Sequence, residues 1–280
     1  MKVPEHERIR RLAIRAIADV SGLIGAPVLK GGNALAVIYH IGNRTSLDLD
    51  YSLERDFPDP LAAQGVLQES LARHFGEAGL HMFDFSFHQR PPVPRDEQWG
   101  GYELLFKVIP AAQLSEDLER LRRTATVIGP SQERVFKVQI SRHEYVGDPS
   151  VQLVDGAWVR VYSPALIAAE KLRAICQQMP EYPHAKNRHP RARDFYDIHA
   201  IFQEASVDLA RGPNVALVRR VFEAKKVSWN LLGRIESTRE FHRADWPSVE
   251  GAVSRLEESF DSYFDFVVAL ARRLETAGNE

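Results

Sequence analysis

Cysteine is almost missing from this sequence. Of 280 residues only Cys176 carries a thiol, so no internal disulfide can form, a usage that fits a reducing cytosol. Long apolar runs are missing too. No stretch is long enough to span a bilayer, and the opening segment MKVPEHERIRRLAIRAIADV is broken by charges. It reads as an amphipathic helix with Ile9, Leu12, Ala13, Ala16, Ile17 and Val20 on one side, not as a signal peptide. Nor is there an excess of charge of one sign. Lys and Arg number 36 against 38 Asp and Glu, a formal net charge of -2. That excludes a globally basic nucleic-acid binder, so any nucleic-acid contact must come from a local patch. Internal repeats and low-complexity segments are absent. The 44% hydrophobic content suits a globular chain of one large domain or two smaller ones.

The first part of the chain alternates strand and helix patterns. Helical periodicity covers 7–24, 33–41, 59–76 and 113–124. Strand patterns cover 27–29, 47–53, 81–87, 102–108 and 135–141, and VQLVDGAWVRV at 151–161 reads as a hairpin turning at Asp155-Gly156. At Ser163-Pro164 a helix start signal appears, and from there the chain is mostly helical: 164–178, 192–205, 214–226 and 248–275. The expected fold class is α+β (mixed α/β): a sheet domain over 1–162, then a helical bundle over 163–280.

One stretch asks for an explanation. KGGNALAVIYHIGNRTSLDLDYS, from Lys30 to Ser52, places Gly31-Gly32 after a short strand and Ser46, Asp48 and Asp50 at strand parity further on. Residues two apart on a strand share a face, so Asp48 and Asp50 project side by side. Buried carboxylates need a cationic partner. A hard divalent cation such as Mg2+ takes one or two carboxylates plus substrate phosphates, and glycines after a strand let a backbone approach phosphate. Gly-Gly alone is common in turns and Asp-x-Asp alone is a weak signal. The order strand, Gly-Gly, helix, Ser-x-Asp-x-Asp is what points to a metal-bound nucleoside triphosphate, with the Ser46 hydroxyl available to a phosphate oxygen.

A second group lies in the helical part. Lys171 in SPALIAAEKLRAICQQ sits beside an apolar face of Leu166, Ala169, Leu172 and Cys176. It reads either as a solvated lysine or as a cation balancing phosphate. The segment HAKNRHPRARDFYDIHAIF holds the densest basic run, with Lys186, Arg188, Arg191 and Arg193, a solvated loop or an RNA-tracking patch. Asp194 and Asp197 follow on one helical face. Asp197 is expected to pair with Arg193 at i, i+4, which leaves Asp194 as the site candidate. The histidines give no zinc signature.

Together KGGNALAVIY, RTSLDLDYS, EKLRAI and RARDFYDIHAIF resemble the AbiEii/AbiGii nucleotidyltransferase toxins, the MenT group among them, of the polymerase-β-like nucleotidyltransferase superfamily. The likeness covers roughly 28–53 and 164–202. It implies an Mg2+-dependent enzyme of a toxin–antitoxin or phage-defence pair. Such an enzyme moves nucleotides from an NTP to an RNA acceptor, typically the tRNA 3′ end, and so blocks translation. It implies a cognate antitoxin, a cytoplasmic setting and no membrane partner. Carried over by position, Lys30, Gly31, Gly32, Arg44 and Ser46 bind nucleotide, Asp48 and Asp50 hold metal, and Asp48, Lys171 and Asp194 are catalytic. One departure stands out. The superfamily often has a third carboxylate on a later strand, and the matching position in VFKVQIS is the neutral Gln139. That leaves three options: Asp194 as base, activation by metal alone, or a catalytically weak chain that binds nucleotide or RNA. A protein hydroxyl as acceptor, giving AMPylation, is the alternative reaction.

Overall fold

The computed structural model describes residues 4–43, 46, 48–93, 100–129, 132–184 and 187–278. By contact density the chain divides into two compact units, residues 1–38 with 47–162, and residues 39–46 with 163–280. The fold is mixed α/β, with sheet and helices sharing the first unit and helices filling the second.

In the first unit, seven strands are described: β1 (Val28–Lys30), β2 (Leu49–Ser52), β3 (Leu80–Arg90), β4 (Gly101–Pro110), β5 (Phe136–Ser141), β6 (Ser150–Val154) and β7 (Ala157–Val161). They form one sheet in the order β3-β4-β5-β2-β1-β7-β6. β2 runs parallel to β5 and β1 parallel to β7, while the other neighbours are antiparallel. Period-2 alternation sorts the faces. Phe136, Val138 and Ile140 of β5 and Leu49 and Tyr51 of β2 are buried, whereas Lys137, Gln139 and Asp50 between them are not. Helices α1 (Glu5–Asp19) and α3 (Pro60–Glu77) pack on each other and against β7 and β3 respectively. They bring Ile9, Ala13, Ile17, Leu67, Leu71 and Phe75 into the core, where Phe75 meets Phe106 at 5.5 Å. Asp59 caps α3 by accepting from the N–H groups of Leu61 and Ala62, with Pro60 in the first turn. The hairpin turns at Asp155 and Gly156, both at positive φ, as a two-residue primed turn requires.

Between β1 and β2 lies a helix that starts at Gly31–Asn33 (α2) and continues as a π-helical stretch, Ala34–Tyr39. β2 begins later than the sequence pattern suggests, so Ser46 precedes the strand and Asp48 lies in a bend before it. α4 (Leu118–Thr124) closes the helices of this unit.

The second unit is helical: α5 (Pro164–Cys176), α6 (Ala192–Ala205), α7 (Pro213–Ala224), α8 (Arg239–Arg243), α9 (Trp246–Glu250) and α10 (Phe260–Ala277). A long 3-10 segment, Trp229–Thr238, precedes α8. Ser163 caps α5, accepting from the Leu166 N–H at 3.2 Å. α5 packs on α6 and α7, and α10 on α6, with Phe195 stacked on Phe264 at 4.9 Å. The single helix expected over 248–275 is two helices. α9 stops at Gly251, and Ser259 starts α10 afresh by accepting from the Ser262 N–H. Among the described residues no helix is long and apolar enough to cross a membrane.

Candidate functional site

The first cluster grows from the turn between β1 and α2. Gly31 sits at φ +72°, and a Cβ built on it would stand 2.9 Å from Asp50 Oδ2. The missing side chain is what lets the Asp50 carboxylate lie against this backbone. Across the sheet, Lys30 pairs with Asp50, Asp50 with Gln139, Gln139 with Glu103, and Glu103 with His88. Cross-strand partners share a face, so these five form one polar row, with neutral Gln139 between two carboxylates. Glu103 is engaged by Arg90, at 2.9 and 3.1 Å.

Asp48 is placed from two sides. Its carbonyl accepts from Asn33 Nδ2 at 2.6 Å, and Asn33 Oδ1 accepts from Arg10 Nη1 at 3.1 Å. Asn33 and Arg10 are both buried, so this relay ties α1 and α2 to the residue just before β2. On the other side Asp48 Oδ2 meets Lys137 Nζ at 3.1 Å. Neither Asn33, Arg10 nor Lys137 was marked by the sequence as a site residue. The Asn that follows the two glycines was the available signal for the first.

Asp48 and Asp50 supply two carboxylates, and no cluster of three metal-ligating side chains occurs among the described residues. Two carboxylates with the rest of the shell left to phosphates and water is what Mg2+ accepts. The ammonium of Lys137 already occupies a cation's place beside Asp48. The two carboxylates present therefore fit a divalent cation whose remaining ligands come from outside the protein.

The second cluster is on α5 and α6. Lys171 Nζ lies 2.9 Å from Asp194 Oδ1 and 2.6 Å from Asp197 Oδ2, with the three side chains only 11%, 6% and 4% exposed. Arg191 is a second counter-ion for Asp194. Burial would push the Asp194 carboxyl upward, but the charges of Arg191 and Lys171, with their hydrogen bonds, hold it well below the usual carboxylate range. The Arg191 N–H donates to His242 Nδ1 at 3.0 Å. Buried His242 is pushed down to about 4, chiefly by desolvation.

Asp197 corrects the sequence reading: its partner is Lys171, while Arg193 reaches the Ser248 hydroxyl and carbonyl at 3.3 and 3.4 Å. The helix-local pair loses to a tertiary one because α5 lies beside α6. Of the basic run, Arg188 is exposed, Arg191 is tied to Asp194, and Lys186 lies outside the described residues. Arg44 lies outside them as well. Ser46 belongs to the short segment 39–46 that groups with the helical unit. That segment is pinned to α6: Tyr196 Oη donates to Asn43 Oδ1 at 2.9 Å, and Gly42 N–H donates to Glu204 at 3.0 Å. Gly32 follows Gly31 in the first turn of α2.

A model of the nucleotidyl transferase AbiEii toxin family, assigned to type IV toxin–antitoxin systems, matches residues 15–268. No individual curated protein sequence matches the chain. Among solved structures, JHP933 from Helicobacter pylori is 16% identical with a TM-score of 0.47, covering 97% of this chain and 91% of its own. MenT4, a nucleotidyltransferase toxin from Mycobacterium tuberculosis, is 14% identical with a TM-score of 0.47, covering 96% of this chain and 82% of its own.

Proposed function

The chain belongs to the AbiEii family of nucleotidyltransferase toxins, and we propose that it transfers a nucleotide from an NTP to an RNA 3′ end, tRNA in the first instance, using a divalent cation held by Asp48 and Asp50. The observation that carries this reading is the Asp50 carboxylate lying against a glycine turn that has no room for a Cβ. A bound Mg2+ would neutralise charge building on the phosphates as pyrophosphate leaves. Lys30 ends the strand before the glycines, in register with Asp50, and its ammonium would meet the same triphosphate. Ser46, and Arg44 with it, add donors to the triphosphate. Lys171 is the catalytic cation of the helical unit, held in place by Asp194 and Asp197.

The reaction forms a bond from the acceptor 3′ oxygen to the α-phosphorus and breaks the bond to the bridging oxygen of pyrophosphate. Asp194 is a poor proton acceptor at neutral pH, since its carboxyl is held well below the ordinary range. Its part is to aim Lys171. Gln139 is neutral as well, and a cation held by Asp48 and Asp50 would supply the charge that acidifies the acceptor hydroxyl, whose proton would pass to water.

A family of toxin–antitoxin systems implies a cognate antitoxin, and a reaction on NTP and tRNA would run in the cytoplasm, where it would halt translation or limit phage growth. A protein hydroxyl as acceptor is favoured by one observation: Arg191 and Arg193 are already engaged within the protein. The deciding assay incubates the protein with total tRNA, Mg2+ and each α-labelled NTP in turn. Label should enter tRNA with one NTP and vanish in Asp48→Ala and Lys171→Ala. Label in a protein band of cell extract would select AMPylation. Full activity in either variant overturns the scheme.

A further inference from the structure

We propose that Lys137 is a counter-ion that changes partner: it neutralises Asp48 while the site is empty and turns to the triphosphate when the metal arrives. The inference rests on the metal reading above and assigns a residue that reading leaves without a task. Lys137 and Gln139 of β5 lie on the face of the sheet that bears Asp50 of β2, one strand-spacing away along a parallel register, Leu49 to Val138 and Asp50 to Gln139. Gln139 on this face is a neutral amide, and the neighbouring same-face residue is a lysine. This strand therefore adds positive charge to the site where a carboxylate would add negative charge.

The pair is built to be exchangeable. Nζ and Oδ2 are 3.1 Å apart, and the side chains are 33% and 41% exposed, so the contact lies where water and solutes reach it. An ion pair this open contributes little stability and breaks readily. A divalent cation on Asp48 would stand a few ångströms from the ammonium and repel it. Lys137 sits on a flexible four-carbon stem; Gln139, next along its face, is no substitute anion, and Glu103 beyond it is already engaged by Arg90. The anion that enters with the metal is the triphosphate, whose oxygens accept lysine donors strongly. The exchange keeps the site's charge balanced in both states. It also makes metal without nucleotide a poor ligand, because it must displace the ammonium and offers nothing in return.

The test uses binding, not turnover. Mn2+ alone, and then tripolyphosphate with saturating Mn2+, are titrated into the wild type, Lys137→Met, Lys137→Arg and Asp48→Asn, with Mn2+ resonance and calorimetry as readouts. Lys137→Met should bind Mn2+ about threefold more tightly, since its competitor is gone. It should bind tripolyphosphate about tenfold more weakly, since a charge-assisted contact is lost. Lys137→Arg should restore tripolyphosphate binding. A merely structural lysine would move neither affinity, or would weaken both. Unchanged or weaker Mn2+ binding in Lys137→Met overturns the proposal, and so does tighter Mn2+ binding with unaltered tripolyphosphate affinity. Asp48→Asn separates the two levels. If it binds Mn2+ as the wild type does, the metal reading itself has failed. If it loses Mn2+ while Lys137→Met behaves as wild type, only the exchange has failed.

Discussion

At the residue scale, the two clusters answer the same problem differently. Asp48 meets one lysine in a contact open to water, whereas Asp194 and Asp197 close on Lys171 in a nearly dry one. A buried trio of this kind adds little net stability, but removing one partner strands the others, at about 3–5 kcal/mol. His242 extends the dry cluster. Its Nδ1 accepts the Arg191 N–H, so it must be neutral, and burial holds it down to about 4. The Asp194 charge and the Arg191 charge act on it in opposite directions, and the rings of Phe195 and Phe241 flank it. An unfolded histidine binds its proton near pH 6.5. The stabilisation from keeping His242 neutral is therefore complete above that pH and is lost as pH falls toward 4, by about 3 kcal/mol at full depression. Asp194, depressed from its ordinary value, loses its own contribution on further acidification. Urea midpoints taken between pH 7 and 4 should fall steeply for the wild type and less so for His242→Asn, which keeps an acceptor for Arg191 without titrating. Equal slopes would show that this histidine is not the sensor.

At the scale of the elements, the turn between β1 and α2 carries a comparable demand. Gly31 is required twice, once by its positive φ and once by the Asp50 carboxylate where a Cβ would be. Gly65, in mid-α3, is required by neither, since a Cβ there meets nothing within 4 Å. Gly31→Ala should cost about 1–3 kcal/mol through backbone strain and weaken Mn2+ binding by moving Asp50. Gly65→Ala should raise stability by about 0.5–1 kcal/mol and leave Mn2+ binding alone. Thermal melts with Mn2+ titrations decide it, and loss of metal affinity in both variants would point to a general effect on folding. What could be read in the sequence follows the same division. Period-2 patterning made β2 and β5 visible, and with them the shared face of Lys137 and Gln139 on β5, though β2 begins only at Leu49 and leaves Asp48 in a bend before it. The partnership of Lys137 with Asp48 was hidden because strand order is not a local property. The same holds for Lys171 with Asp197, 26 positions apart in sequence. The break at Gly251 was masked by apolar spacing at Val253 and Leu256 that continues the helix pattern without being helix.

At the scale of the whole molecule, charge sets the terms for an RNA acceptor. The chain carries a net -2 and a pI near 6.6, so long-range attraction to a phosphate backbone is not available to it. Affinity has to come from a few local cations, and the structure reduces their number. Arg191 is committed to Asp194, and Arg193 lies on Ser248, which leaves exposed Arg188 as the basic side chain of this run placed to meet a phosphate among the described residues. Each phosphate contact to a single strand contributes about 0.7 to the slope of log affinity against log salt. The slope for tRNA should therefore be shallow, on the order of -1 to -3, where a strongly basic binder gives far steeper values. Arg188→Ala should flatten it by about 0.7. Arg193→Ala should change it less, because its guanidinium is already engaged. Arg191→Ala is the wrong probe, since it strips Asp194 of a counter-ion and disturbs the site. Filter binding from low to high salt measures the slopes directly. A steep slope insensitive to Arg188 would place the RNA on another surface of the protein. No salt dependence at all, with nucleotide transfer to a protein band intact, would move the acceptor from RNA to protein while leaving the metal and lysine chemistry as argued.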